Sequence, residues 1–421
     1  MSDAPVHTPT MSTFDPYSIP LDELDLIRND IFHHDKHVKI FERLRKEDPI
    51  HWQKDHESAG SFWNITKYED IMYVDTHHEL FSSDGSIVVD DQDEEFPLPM
   101  FIAMDPPKHD QQRKEVSPVV APRNLAEMEG TIRLRVQNIL DSLPIGEEIN
   151  WVDLVSIELT TQMLATLFDF PFEDRRKLTR WSDVATADVE AGDIVESEDQ
   201  RRAELIECLE YFQNLWHQRQ NDPNPGFDLV SMLAHGESTK NMDPVEYLGN
   251  LVLLIVGGND TTRNSITGGV NFLNVFPKEY DKLRANPSLI TTMVPEIIRY
   301  QTPLAYMRRT ALTDTELGGK QIKKGDKILM WYVSGNRDAD VIEQPDDFII
   351  DRKRPRNHLS FGFGIHRCMG NRLAEMQLRI LWEEIMLRFD NIEVVGEPVM
   401  VRSSFVKGYS ELPVILHKKT T

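Results

Sequence analysis

The residues from His358 to Gly370 read His-Leu-Ser-Phe-Gly-Phe-Gly-Ile-His-Arg-Cys-Met-Gly and set Cys368 in a glycine-rich loop. Gly362, Gly364 and Gly370 permit tight turns and let the backbone approach something flat. The cysteine lies just before a predicted helix that opens at Asn371. Backbone N–H groups at a helix N-terminus stabilise a thiolate and lower its pKa. A thiolate is what a haem iron needs as an electron-donating axial ligand, one that favours O–O cleavage, and Phe361 would shield the sulfur. The plain alternative is a glycine-rich loop with an incidental cysteine. The other cysteine, Cys208, sits in a helical pattern and reads as a small buried hydrophobe.

A second cluster, Gly257-Gly258-Asn259-Asp260-Thr261-Thr262, follows the apolar run Leu251–Val256. Two glycines at a helix centre cost about 1 kcal/mol each relative to alanine. Close packing against a neighbouring helix is one reason to keep them. The other is chemical. A local opening of the helix makes a groove for O2 over a flat cofactor, where Thr261 can hydrogen-bond dioxygen and Asp260 can relay protons from solvent. Haem carries two carboxylates, so basic donors must surround it. His109 and Arg113 lie at i, i+4 on one helix face. Arg308 and Arg309 are adjacent on a predicted strand and point to opposite faces, so only one can serve. Glu296 and Arg299 share a helix face at i, i+3, a spacing that is usually a surface pair worth little.

The elements that must position these groups are mostly helical. Periodicity predicts a helix over 36–48, paired strands over 51–65, a long loop over 80–107 and helices from Pro122 to about Leu233. Asp243-Pro244 caps a helix that runs to about Phe276, roughly 50 Å at 1.5 Å per residue. A further helix carries Glu296, strands and hairpins fill 306–334, and a last helix spans about 370–389. The strands read as local. The chain has 421 residues and a formal net charge of −24, a poor match to nucleic acid, which needs a basic face. Two cysteines make no disulfide framework and suit a reducing cytoplasm. Met1 to Ile19 lacks a secretory pattern, and no apolar run is long enough to span a membrane.

The cysteine loop resembles the haem-binding signature of the cytochrome P-450 superfamily. The resemblance implies a mostly helical fold with small sheets (α+β), in which residues 21–421 form a single triangular haem domain behind a disordered tail at 1–20. It implies haem b held by Cys368, with His109 and Arg113 on one propionate, Arg309 on the other with Arg308 as its competitor, and His366 also within reach. It makes Glu296, Arg299 and Arg352 structural holders of the cysteine loop, and Asn336-Arg337-Asp338 fits the family pattern. Asp260 and Thr261 become the family's acid–alcohol pair. The substrate wall would come from Met100 and Phe101, from Leu254, Val256 and Gly257, from Leu304 and Tyr306, and from Phe405; these segments are largely apolar, which suits a hydrophobic substrate.

Three further stretches, 159–171, 254–265 and 403–409, resemble the soluble bacterial alkane hydroxylases of that superfamily. This implies hydroxylation of the terminal methyl of a medium-chain n-alkane, with a fatty acid as the alternative. No flavin or nicotinamide fingerprint is present, so electrons must come from outside; the resemblance implies that they pass from NADH or NADPH through a reductase and a 2Fe–2S ferredoxin. Arg354 and Arg356, in the basic run 352–356, are candidate docking residues, and a monomer is expected. A peroxygenase would not need Asp260 and Thr261, and neither would a non-catalytic haem sensor, so the pair speaks against both.

Overall fold

The computed structural model describes residues 14–189, 191–192 and 194–419. Its axis is the long helix, Pro244–Val275. Asp243 accepts from the Val245 N–H at 2.9 Å, and Pro244 occupies the first turn, where a missing N–H costs nothing. The helix packs against several others, among them Glu158–Phe168, Arg176–Thr186 and Ile290–Gln301. Neighbours on several sides explain why its apolar residues form no narrow stripe. Leu248, Ile266, Ile297, Leu378 and Trp382 are buried in the main core around it.

The strands are local only in part: Ile50–His56 with Gly60–Ile65 and Thr315–Leu317 with Lys320–Ile322 are hairpins, but the larger sheets join distant segments. A five-stranded sheet runs in the order Ile50–His56, Gly60–Ile65, Lys327–Met330, Met307–Ala311, Phe81–Ser82. Its centre is a parallel pairing of Phe62 with Lys327 and of Ile65 with Met330. Segments more than 260 residues apart thus share one ladder, and short apolar runs reveal nothing of such partners. A second sheet of Glu148–Asn150, Pro413–Lys418 and Phe389–Val394 secures the last strand beside the helix Asn371–Arg388.

Of the tail expected over 1–20, residues 1–13 lie outside the described residues. Residues 14–20 are packed rather than free. Arg43 Nη1 donates to the carbonyls of Pro16 and Ile19 at 2.7 Å each, while Phe14 and Ile19 lie against the core formed by Phe41, Tyr306 and Trp331. The Pro, Ser and Thr content of the segment concealed these two apolar anchors. Among the described residues, no helix is long and apolar enough to cross a membrane.

Candidate functional site

The cysteine loop is held from two sides. Cys368 N–H donates to the Phe361 carbonyl at 2.7 Å, closing the loop on itself. Gly364 adopts φ +64, and a Cβ there would lie 2.4 Å from the Asp75 carbonyl oxygen, so glycine is required. From the other side comes a buried ion cluster. Glu296 accepts from Arg299 Nε and Nη2, both at 2.8 Å, and from Arg352 Nε at 3.0 Å. Arg299 Nη1 donates to the Asn336 carbonyl, and the Asn336 side chain reaches Leu359 N–H at 2.6 Å and Ser360 Oγ at 2.9 Å. The pair, which its spacing alone would put at the surface, is buried and connects, through Asn336, to the loop that carries Cys368.

Cys368 is open to an internal cavity of about 520 Å3. Burial pushes its thiol up. The N–H groups of Gly370 and Asn371 and the charges of Arg113 and Arg367 oppose this without prevailing. The lowering expected from the helix N-terminus is thus present but outweighed; a cation against the sulfur reverses such a balance.

Arg113, Arg309 and His366 reach the same cavity. Arg309 Nη2 donates to Asp75 Oδ1 at 2.8 Å, and Asp75 also accepts from Tyr332 Oη at 3.2 Å and Phe363 N–H at 2.6 Å. Arg308 is not the cavity arginine. It turns away to the carbonyls of Val89 at 3.1 Å and Asp90 at 3.2 Å and to Asp91 Oδ1 at 2.8 Å. His109 lies one layer back: it is buried, its Nδ1 pairs with Asp110 Oδ1 at 2.8 Å, and its ring centre is 4.2 Å from that of His366. Both ring nitrogens of His366 and Nε2 of His109 are buried without a hydrogen-bond partner among the described residues. Buried polar groups are seldom left so. Donors of this kind beside a cysteine-floored cavity fit the carboxylates and iron of haem. The sequence reading missed Asp75 and Tyr332. The signal for Asp75 was an acid on the buried stripe of Tyr68, Ile71 and Val74.

On the facing wall, Thr261 Oγ1 donates to the Gly257 carbonyl at 2.9 Å. The long helix is unbroken here, so the expected opening does not occur. Instead the two glycines divide the roles weighed for them. A Cβ on Gly257 would meet nothing within 4 Å, leaving the helix bare toward the cavity, whereas one on Gly258 would lie 2.7 Å from Leu164 Cδ2. Asp260 does not line the cavity. It is fully buried and accepts from Ser182 Oγ at 3.0 Å and Asn259 Nδ2 at 3.1 Å, with Arg263 Nη2 also at 3.1 Å. Arg263 in turn pairs with Asp183 at 2.7 Å. Burial pushes the Asp260 carboxyl up while Arg263 pulls it down.

Met100, Phe101, Leu254, Val256, Gly257, Leu304 and Phe405 line the cavity, and Phe361 lies at its floor. Tyr306 does not line it. Its hydroxyl accepts from Val89 N–H at 3.2 Å and its ring packs 4.7 Å from Trp331. Leu98, Leu164 and Leu205 complete the wall; they come from a loop and two helices that no local pattern joins.

His358 is buried beneath this site and accepts from Ser360 N–H at 3.3 Å. Burial, aided by Arg299, pushes its pKa down to about 3. Folded His358 stays neutral while the unfolded chain takes up a proton below pH ~6.5, so its contribution is intact above that pH and is lost as pH falls toward 3. Thermal unfolding across this window should show His358→Gln with a shallower acid slope, by up to about 1.4 kcal/mol per pH unit.

The cytochrome P-450 family matches residues 60–407 of this chain. Linalool 8-monooxygenase of Pseudomonas putida is 36% identical over 409 residues, covering 94% of this chain and 99% of that protein. A methyl-branched lipid omega-hydroxylase of Mycobacterium tuberculosis is 31% identical over 414 residues, covering 95% and 96%. The structure of cytochrome P-450-153 from Novosphingobium aromaticivorans superposes with a TM-score of 0.87 at 48% identity, covering 93% of this chain and 99% of that one.

Proposed function

Because this chain belongs to the cytochrome P-450 family and is a haem-dependent monooxygenase, we propose that it inserts one oxygen atom of O2 into the terminal C–H bond of a medium-chain n-alkane. The observation that carries this is the cavity itself: an aliphatic wall whose floor is Cys368 and whose facing side is bare at Gly257. Haem b, when bound, supplies the oxidant for an unactivated C–H bond. Cys368 would ligate it, Arg309, Arg113 and His366 would meet its carboxylates, and His109 would support His366 from behind. The similarity to an omega-hydroxylase supports reaction at a chain end.

Thr261 presents a hydroxyl at the cavity wall, and Asp260 with Arg263 and Asp183 forms a line of polar groups toward the surface. This arrangement supports delivery of protons into a dry site. Thr261→Ala and Asp260→Asn are each expected to lower product formed per NADH consumed by about 10- to 100-fold, while haem content stays unchanged; equal coupling in wild type and variants would remove both from the relay.

Electrons come from redox partners, here a 2Fe–2S ferredoxin and its reductase in the cytoplasm. Within the basic run, Arg352 is engaged by Glu296, Arg356 is exposed but pairs with Glu375 at 2.7 Å, and Arg354 and Lys353 are exposed beside it. Arg354→Glu is expected to slow reduction by ferredoxin most at low salt; an unchanged rate and salt dependence would count against this docking face.

The substrate class is tested by titrating the ferric protein with n-alkanes of increasing length and then the matching fatty acids. A low- to high-spin shift, tighter for alkanes, is expected. Tighter response to the acids would make this a fatty-acid hydroxylase, and response to neither would end the linear-chain reading.

A further inference from the structure

The cavity reaches the surface at Asp93 and Glu198, which are 45% and 59% exposed. Arg201 and Arg202 line it between them. A chain whose terminal methyl lies at Cys368 points its other end toward this rim, so a long fatty acid would bring its carboxylate here. Two arginines would normally welcome it. Both, however, are already engaged. Arg202 pairs with Asp93 and, at 3.3 Å, with Glu95. Arg201 Nη1 pairs with Glu198 at 3.1 Å and Nη2 donates to the Ala187 carbonyl, while its Nε has no partner among the described residues.

We propose that Asp93, Glu95 and Glu198 form an acidic rim that selects against carboxylate-ended chains and so sets the preference for uncharged ones. The proposal rests on the aliphatic reading of the cavity. Three carboxylates face two guanidiniums, so an incoming acid must displace a resident carboxylate or stand beside like charges. Both are unfavourable, and neither affects an alkane. The reach of these charges is about 8 Å at physiological salt, so the effect is confined to the rim. Exposed pairs of this kind add little to stability, which makes their replacement compatible with folding.

The test uses the haem-loaded double variant Asp93→Asn/Glu198→Gln and spin-state titration with n-decane and decanoate. The readout is the ratio of their Kd values. We expect decanoate to tighten about tenfold relative to decane, with a gain that shrinks as salt is raised. Two results would overturn the proposal: a wild type that already binds decanoate as tightly as decane, or an unchanged ratio in the variant, which with equal shifts of both ligands would mean that the pairs only latch the mouth. If neither ligand changes the wild-type spin state, the aliphatic reading fails first and the rim proposal falls with it.

Discussion

Cys368→Ser should leave a folded protein with no monooxygenase turnover and no thiolate-type spectrum of the ferrous carbon-monoxide form. The substitution keeps an oxygen that can accept from the Gly370 and Asn371 N–H groups, which the sulfur meets in the native loop. The loop's closure, Cys368 N–H to Phe361 carbonyl, belongs to the backbone and survives. The side chain faces a cavity, so no tight packing is lost, and stability of the apoprotein should change by less than about 1 kcal/mol. Only the soft, ionisable ligand disappears, and with it the electron donation that favours O–O cleavage. Cys208 cannot substitute: it is fully buried in the helix Glu198–Gln220, and burial pushes its thiol well up. A Cys368→Ser protein that retained the thiolate spectrum would refute the assignment.

Glu296→Ala should be among the most destabilising single changes in the chain, by about 3–5 kcal/mol, because it leaves buried guanidinium charge uncompensated. Glu296 is fully buried and Arg299 nearly so, and the carboxylate accepts from two arginines and from Ile349 N–H at 2.9 Å. A loss of that size is a large share of a typical domain's 5–15 kcal/mol. Its position also couples it to function. Arg299 would no longer be fixed under the Asn336 carbonyl, and Asn336 would no longer steady Leu359 and Ser360 ahead of the cysteine. Haem content should therefore fall together with Tm, and Glu296→Gln, which keeps one acceptor, should lie between. Thermal unfolding and haem-to-protein ratio check this; a Glu296→Ala protein with native Tm and full haem would contradict it.

What could be read in the sequence was whatever depends on neighbours along the chain. The cysteine loop, the cap at Asp243 and the pair Glu296/Arg299 are local patterns, and each forms as its spacing predicted, although the depth at which Glu296 and Arg299 are buried was not written in that spacing. The direction of Asp260 was partly foreseeable, since successive helix residues are about 100° apart, so Asp260 and Thr261 could not both face one cavity squarely. What depends on distant contacts stayed hidden. Asp75 and Arg309 are joined across more than two hundred residues. The choice between Arg308 and Arg309 was open until the sheet placed Arg309 inward. Tyr306 was placed on the wall by resemblance alone, whereas its side chain turns to Val89 and Trp331, contacts that no local pattern announces. The rim had no signature either: Asp93 and Arg202 come from a loop and a helix start that meet only in the fold.

The most direct test of the account is the product made from n-octane by the enzyme reconstituted with ferredoxin, reductase, NADH and isotopically labelled O2. The expected product is 1-octanol carrying one labelled oxygen atom, formed with near-stoichiometric use of NADH. A mixture of internal alcohols would contradict end-on presentation of the chain to Cys368, and 1-octanol without label would contradict oxygen insertion from O2.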